Sequence, residues 1–93
     1  MASQDIQVVQ TSAFARAYKK LHHTRKLDVD GAVEKIVQDP LVGEPKRGDL
    51  AGTYVCKFKS QSQLVLLAYE FDPKTRFLLL LGSHENFYEQ LKR

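Results

Sequence analysis

The alternation of apolar and polar residues predicts short strands interrupted by two amphipathic helices. Residues 6–10 are rich in β-branched side chains, which is typical of a strand at the edge of a sheet. Thr11 or Ser12 then caps a helix whose apolar residues recur at helical spacing: Phe14, Ala17, Tyr18 and Leu21. We expect this helix to end within residues 22–26, because a basic cluster is favoured at the C-terminal end of the helix dipole.

A second amphipathic helix follows directly. Its apolar residues recur at intervals of three and four from Val29 to Val37, so we expect it to begin at Asp28 or Asp30 and to run to about Asp39. Pro40 closes it, because proline disrupts a helix interior. Residues 41–52 contain three glycines and a proline, and we predict a loop there.

The segment 53–59 is the most informative strand. Alternation places Tyr54, Cys56 and Phe58 on one face, which should pack against the helices. Lys57 and Lys59 then lie on the opposite face with Val55, and this face is predicted to be open to water or to an anionic ligand. Short turns lead into two nearly continuous apolar strands, at residues 63–70 and 77–81.

The C-terminal stretch carries the candidate chemistry. We expect Gly82 to end the leucine-rich strand, Ser83 to cap a last helix, and Asn86 to complete an imperfect capping box. His84 then falls at the first helical position, where unpaired N–H groups favour an anion. Helical spacing places it on one side with three other residues: Phe87, Tyr88 and Leu91. The alternative interpretation is that Tyr88 and Leu91 only pack and that the histidine is a capping or surface group.

These elements predict an α+β fold of order β-α-α-β-β-β-α, with residues 1–93 forming one domain. The last three strands form an antiparallel meander, the helical hairpin covers one face, and the final helix approaches one rim. Lys57 and Lys59 would then line a shallow basic groove near that helix.

Composition narrows the class of protein. Fourteen basic residues against eleven acidic residues give a formal charge of +3, which indicates an anionic partner. A single cysteine allows no internal disulfide and no thiol zinc cluster, so a reducing cytoplasm is expected. We see no secretion signal and no stretch of transmembrane length, and therefore predict no membrane association.

His22 and His23 are weak metal candidates, because neighbours on a helix point about 100° apart. We predict neither metal nor cofactor.

With these motifs in order, the chain resembles the RelE/ParE superfamily of toxins from bacterial type II toxin–antitoxin modules. The resemblance covers the helical hairpin, the loop 48–52, the Lys-Phe-Lys strand and the ending from Gly82 to Tyr88. The Gly-x-His-x-x-x-aromatic ending is most similar to the YafQ-type ribonucleases, and the strand lysines are similar to those of RelE. Leu66 stands where RelE-like members carry an arginine.

The resemblance implies site residues and partners. His84 and Tyr88 match catalytic positions of the relatives, and Lys57 and Lys59 match lysines that contact the scissile region. Lys46 and Arg47 match a loop in which relatives hold basic residues that bind RNA, and they are the last of the implied site residues. The implied activity is metal-independent cleavage of messenger RNA in the ribosomal A site. The implied partners are a cognate antitoxin and the ribosome with its messenger, with DNA contacted only through an antitoxin complex.

The chemistry of such a cleavage suits these residue types. The neighbouring 2′-hydroxyl attacks the phosphate, so a group must accept its proton, and another must protonate the leaving 5′-oxygen. Imidazole can take part because its ordinary pKa is about 6.5. Two alternatives stay open: a ParE-type poison that inhibits DNA gyrase without cutting anything, and an inactive homologue that only binds its antitoxin.

Overall fold

A computed structural model describes residues 5–85 and 87–92 of the chain. Its helices and strands follow in this order: β1 Gln7–Gln10, α1 Ser12–Lys19, α2 His23–Gln38, β2 Glu44–Pro45, a 3-10 helix Gly48–Leu50, β3 Tyr54–Ser60, β4 Gln63–Asp72, β5 Thr75–Ser83 and α3 Phe87–Leu91. No helix within the described residues is both long enough and apolar enough to cross a membrane.

The strands form one sheet in the order β1-β5-β4-β3-β2. β3, β4 and β5 make the predicted antiparallel meander, and β1 lies at an edge, parallel to β5. The predicted α+β fold is therefore confirmed. Strand β2 was not predicted: it is only two residues long and pairs Glu44 with Val55 inside the segment predicted to be a loop.

One face of the sheet packs against the helical hairpin of α1 and α2. Tyr54, Cys56 and Phe58 point to this face, as their alternation predicts. They join a core of buried residues from the hairpin and from the two central strands: Phe14, Val29, Ala32, Ile36, Leu67, Tyr69, Leu78 and Leu81. This core holds the hairpin against the meander.

The opposite face is less open than predicted. α3 lies over it and buries Phe87 against Val55, Leu66 and Leu80. An irregularity in the pairing of β4 with β5 near Ala68 brings Leu79 to this face as well, beside Leu80. Only the part of the face that carries Lys57 and Lys59 remains exposed, so the prediction of an open face holds for these two residues and fails for Val55.

Both hairpin helices have different bounds from those predicted. α1 ends at Lys19 and α2 begins at His23, rather than at Asp28 or Asp30. Neither aspartate is a cap, because Asp28 accepts a hydrogen bond from Ser60 Oγ and Asp30 accepts one from the Tyr18 hydroxyl. The basic cluster of residues 23–26 therefore lies in the first turn of a helix, where the dipole does not favour it.

The end of the chain also differs from the prediction. β5 continues through Gly82, which pairs with Leu66, and through Ser83, which pairs with Val65. Ser83 is therefore no helix cap, and α3 begins only at Phe87. His84 lies in the bend between strand and helix instead of at a first helical position. The predicted capping role of Asn86 falls outside the described residues.

Candidate functional site

Strand β3 presents two lysines on the face that α3 covers only in part. Lys57 lies opposite Leu66, which in turn lies opposite Gly82 of β5. Paired residues on neighbouring strands point to the same face, so the row that contains Lys57 leads across the sheet towards the bend at His84. The Lys57 side chain is 47% exposed and can reach a ligand in solvent.

Strand β2 adds a carboxylate to this face. Glu44 pairs with Val55, so its side chain projects beside Lys57. Its Oε1 accepts a hydrogen bond from Lys46 Nζ at 3.1 Å and lies 3.8 Å from Lys57 Nζ. One acid therefore holds two ammonium groups close together, and both keep donors for a further anion, since an ammonium group has three.

A buried tyrosine from the other face sets the position of β2. The Tyr69 hydroxyl donates to the carbonyl of Pro40 at 2.7 Å and accepts the N–H of Gly43 at 2.9 Å. A Cβ on Gly43 would lie 2.6 Å from that hydroxyl, so only glycine fits. Because Glu44 follows directly, this contact fixes where its carboxylate enters the site.

The loop and the C-terminal segment meet at Tyr88. Lys46 Nζ lies 5.0 Å from the centroid of the Tyr88 ring, a cation–π contact. The His84 and Tyr88 rings lie edge to face, with centroids 6.3 Å apart. We refer to Glu44, Lys46, Lys57, Tyr88 and His84 as the basic–aromatic cluster, because successive contacts join all five residues.

Charge interactions within the cluster shift two pKa values. The hydrogen bond from Lys46, together with the charges of Lys46 and Lys57, lowers the pKa of Glu44. Partial burial works to lower the pKa of Lys46, but interactions with the Glu44 carboxylate and the Tyr88 hydroxyl outweigh it and raise that pKa. Both residues are therefore charged near neutral pH.

Three residues singled out by the sequence lie outside these contacts. Lys59 shares the face of Lys57 one row further along and is exposed, but the structure gives it no ion pair among the described residues. Arg47 is exposed at the start of the 3-10 helix. Leu66 is fully buried beneath α3, so no cation stands at that position.

The cluster combines groups suited to an anionic substrate. Two ammonium groups and an imidazole can surround a phosphate, and the phenol of Tyr88 offers both a hydrogen bond and a ring on which a base can stack. Cys56 points to the opposite face, and burial raises the pKa of its thiol. Within residues 5–85 and 87–92, no three His, Cys, Asp or Glu side chains group as metal ligands.

Glu44 is the site residue that the sequence analysis missed. It precedes Pro45, and a residue before proline favours an extended conformation. In an extended segment, residues two apart project to the same side, so the spacing of Glu44 and Lys46 indicates a pair. That signal was present, but the glycines around it favoured the prediction of an irregular loop.

Comparison with solved structures defines the class to which this fold belongs. A chain of the intact E. coli RelBE toxin–antitoxin complex is 20% identical, with a TM-score of 0.69, and the match covers 86% of this chain and 98% of that one. A chain of the RelBE2 complex from Mycobacterium tuberculosis is 26% identical over 86% and 99%, with a TM-score of 0.72. The YoeB/ParE toxin of Agrobacterium tumefaciens is 15% identical over 85% and 99%, with a TM-score of 0.69. The fold is that of the RelE-like toxins.

The sequence itself places the chain in a family within this class. Residues 8–92 match the model of the ParE-like toxin of type II bacterial toxin–antitoxin systems. The protein therefore belongs to this family, and the predicted membership of the RelE/ParE superfamily is confirmed. No curated protein matches the chain.

Proposed function

We propose that this toxin is an endoribonuclease that cuts messenger RNA in the ribosomal A site without a metal. The observation that carries the proposal is the basic–aromatic cluster, in which Glu44 joins Lys57 to Lys46, Lys46 contacts the Tyr88 ring, and that ring lies beside His84. A protein that only binds an anion needs the cations, whereas an imidazole beside them also offers proton transfer at neutral pH.

The proposed reaction breaks the bond between phosphorus and the 5′-oxygen. The adjacent 2′-oxygen attacks the phosphorus and loses its proton, and the departing 5′-oxygen gains one, which leaves a 2′,3′-cyclic phosphate. His84 exchanges one of these protons. Lys57 and Lys46 stabilise the negative charge of the phosphorane, with Lys59 beside them. Tyr88 stacks on a base or donates a hydrogen bond to the phosphate.

So few groups make a modest catalyst unless the substrate is already oriented. A ribosome that holds the messenger in the geometry of attack would contribute an orientation effect, which reaches roughly 7–11 kcal/mol in favourable intramolecular reactions. We therefore expect little or no cleavage of free RNA. Arg47 is exposed in the loop that carries Lys46, and we propose that it contacts the RNA backbone.

The proposed partners follow from the family. The E. coli RelBE and M. tuberculosis RelBE2 structures are toxin–antitoxin complexes. For this chain we propose a cognate antitoxin that folds on the toxin and covers the cluster, within the cytoplasm. Contact with DNA would then arise only through that complex.

Mapping messenger ends in induced cells tests the activity. Wild type should produce cuts at a fixed position of the reading frame, and the double variant His84→Ala/Tyr88→Ala should produce none. Circular dichroism and thermal denaturation of the purified double variant check that it is folded. Growth arrest without in-frame cuts would refute the nuclease proposal.

The family model favours one alternative, because it is that of ParE-like toxins. A ParE-type protein would inhibit DNA gyrase, so induction would produce DNA damage signals with intact messages. An inactive homologue would bind the antitoxin and cause neither effect. The same induction experiment separates all three functions.

A further inference from the structure

A second concave surface lies at the end of the sheet, on the hairpin side. It is a cleft of about 260 Å³ between the helical hairpin and the adjoining ends of β4 and β5. Lys20, Leu21 and Arg25 line it from the hairpin, and Val65 and Ser83 line it from the sheet. The basic–aromatic cluster uses none of these residues.

The cleft lies in the most basic part of the chain. The sequence contains no acid between Asp5 and Asp28, and this interval holds five cations: Arg16, Lys19, Lys20, Arg25 and Lys26. The described residues provide neither Lys20 nor Arg25 with an ion pair. The nearest acid of α2, Asp28, accepts a hydrogen bond from Ser60 Oγ at the wall of the cleft and forms no ion pair with either cation.

Arg25 is held in place but keeps most of its donors. Its Nε donates to Gln61 Oε1 at 3.2 Å, and Gln61 Nε2 donates to Thr24 Oγ1 at 2.8 Å. The guanidinium therefore stands against the turn between β3 and β4, while its terminal amino groups make no hydrogen bond with the described residues. A planar group with remaining donors is well suited to a phosphate.

The cleft and the cluster share the rim of the sheet. Ser83 lines the cleft and is bonded to His84 of the cluster. Gly82 also lines the cleft and lies in the same row of the sheet as Lys57. A flexible polyanion at the cluster can therefore continue around the end of β5 into the cleft.

We propose, on the basis of the function proposed above, that this cleft binds a nucleotide that flanks the scissile phosphate. Lys20 and Arg25 hold its phosphate, and its base rests on Leu21 and Val65. Val65 pairs with Phe58, so its side chain points to the hairpin face, and both Leu21 and Val65 are only partly buried. Grooves for single-stranded nucleic acid combine cations that track the backbone with flat apolar surfaces for the bases. Aliphatic walls make this subsite tolerant of base identity.

The salt dependence of RNA binding tests the proposal. The probe is a single-stranded RNA hexanucleotide with a 2′-O-methyl group at every position, which cannot be cut because no free 2′-hydroxyl remains. It is titrated into the whole chain and followed by NMR. Lys20→Gln/Arg25→Gln is compared with Lys19→Gln/Lys74→Gln, which has the same charge and replaces two exposed lysines that do not line the cleft. The slope of log K against log salt concentration is negative, and the first variant should make it shallower by about 0.7. This is the value for one phosphate contact of a single strand.

Several outcomes would overturn the proposal. These are equal slopes for the two variants, no binding of the hexanucleotide at millimolar concentration, or a loss of antitoxin binding alone, which would assign the cleft to a protein partner. If wild type binds through Lys20 and Arg25 but cuts no message, the nuclease proposal fails and the subsite stands. If the Lys20→Gln/Arg25→Gln variant cuts messenger RNA at the wild-type rate, the proposed subsite is wrong and the nuclease proposal stands.

Discussion

The two faces of the sheet differ in how far their cations are buried and in which groups accept their hydrogen bonds. On the hairpin face, Arg76 is buried and its guanidinium donates to the carbonyls of Ile36 and Val37 at the end of α2, and to those of Asp72 and Thr75. On the α3 face, Lys57 is half exposed and has a single acidic neighbour at 3.8 Å, Glu44.

This difference separates cations that hold the fold from cations that are available to a ligand. The backbone carbonyls around Arg76 take up its donors, so its charge acts inside the structure. The ammonium group of Lys57 keeps donors that point to solvent, and a phosphate can use them without breaking the fold. A variant on the first face should therefore change stability, and a variant on the second should change activity.

The largest change in stability is expected in the hairpin core. Ile36→Ala removes a side chain that is 0% exposed and should lower the free energy of unfolding by about 2–5 kcal/mol, because a cavity remains. Leu27→Ala, on the same helix but 54% exposed, is the matched control and should cost less than about 0.5 kcal/mol. Urea denaturation measures both, and similar costs would contradict the assignment of the core.

A smaller change is expected where the hairpin face reaches the site. Tyr69→Phe leaves the carbonyl of Pro40 and the N–H of Gly43 without their partner and should cost about 1–3 kcal/mol. Because β2 then loses its anchor, cleavage should also slow at temperatures where the variant is folded. Tyr54→Phe is the control, since the structure records no hydrogen bond for that hydroxyl among the described residues. An undiminished cleavage rate in Tyr69→Phe would show that the anchor is not needed.

The smallest effect concerns the titration of the cluster. The pKa of Glu44 should lie below its ordinary value of about 4.3, and Lys46→Gln should raise it more than Lys57→Gln does. NMR titration of the side-chain carboxyl measures the order. A folded-state pKa below the unfolded one means that this contribution to stability is present above the ordinary pKa and is lost as pH falls through the folded value. If Lys57→Gln raised the pKa of Glu44 more than Lys46→Gln does, Lys57 would be the main partner of this carboxylate.

Much of the fold could be predicted because local patterns agree with the packing. The alternation at Tyr54, Cys56 and Phe58 gave the correct buried face, since one side of β3 meets the hairpin. The helix bounds were wrong because Asp28 and Asp30 are typical caps whose carboxylates are engaged by tertiary partners. Capping rules weigh local hydrogen bonds and cannot see a partner distant in sequence.

The site was harder to predict than the fold. His84, Tyr88 and Lys57 were chosen from motif and alternation. The structure brings His84 beside Tyr88 and joins Lys57 to Tyr88 through Glu44 and Lys46. The link itself depends on Glu44, and its position depends on Tyr69, a residue 26 positions from Gly43 along the chain. No periodic pattern carries such a contact, because it arises only when the sheet has formed.

Single-turnover cleavage of a messenger in programmed ribosomes tests the central claim most directly. His84→Ala should lower the rate by about 10²–10⁴, the usual contribution of one proton-transfer group, with thermal stability unchanged. Glu85→Gln, an exposed neighbour in the same bend, should keep the wild-type rate. A His84→Ala protein that cuts as fast as wild type would contradict the assignment of this histidine and leave a basic surface without catalytic chemistry.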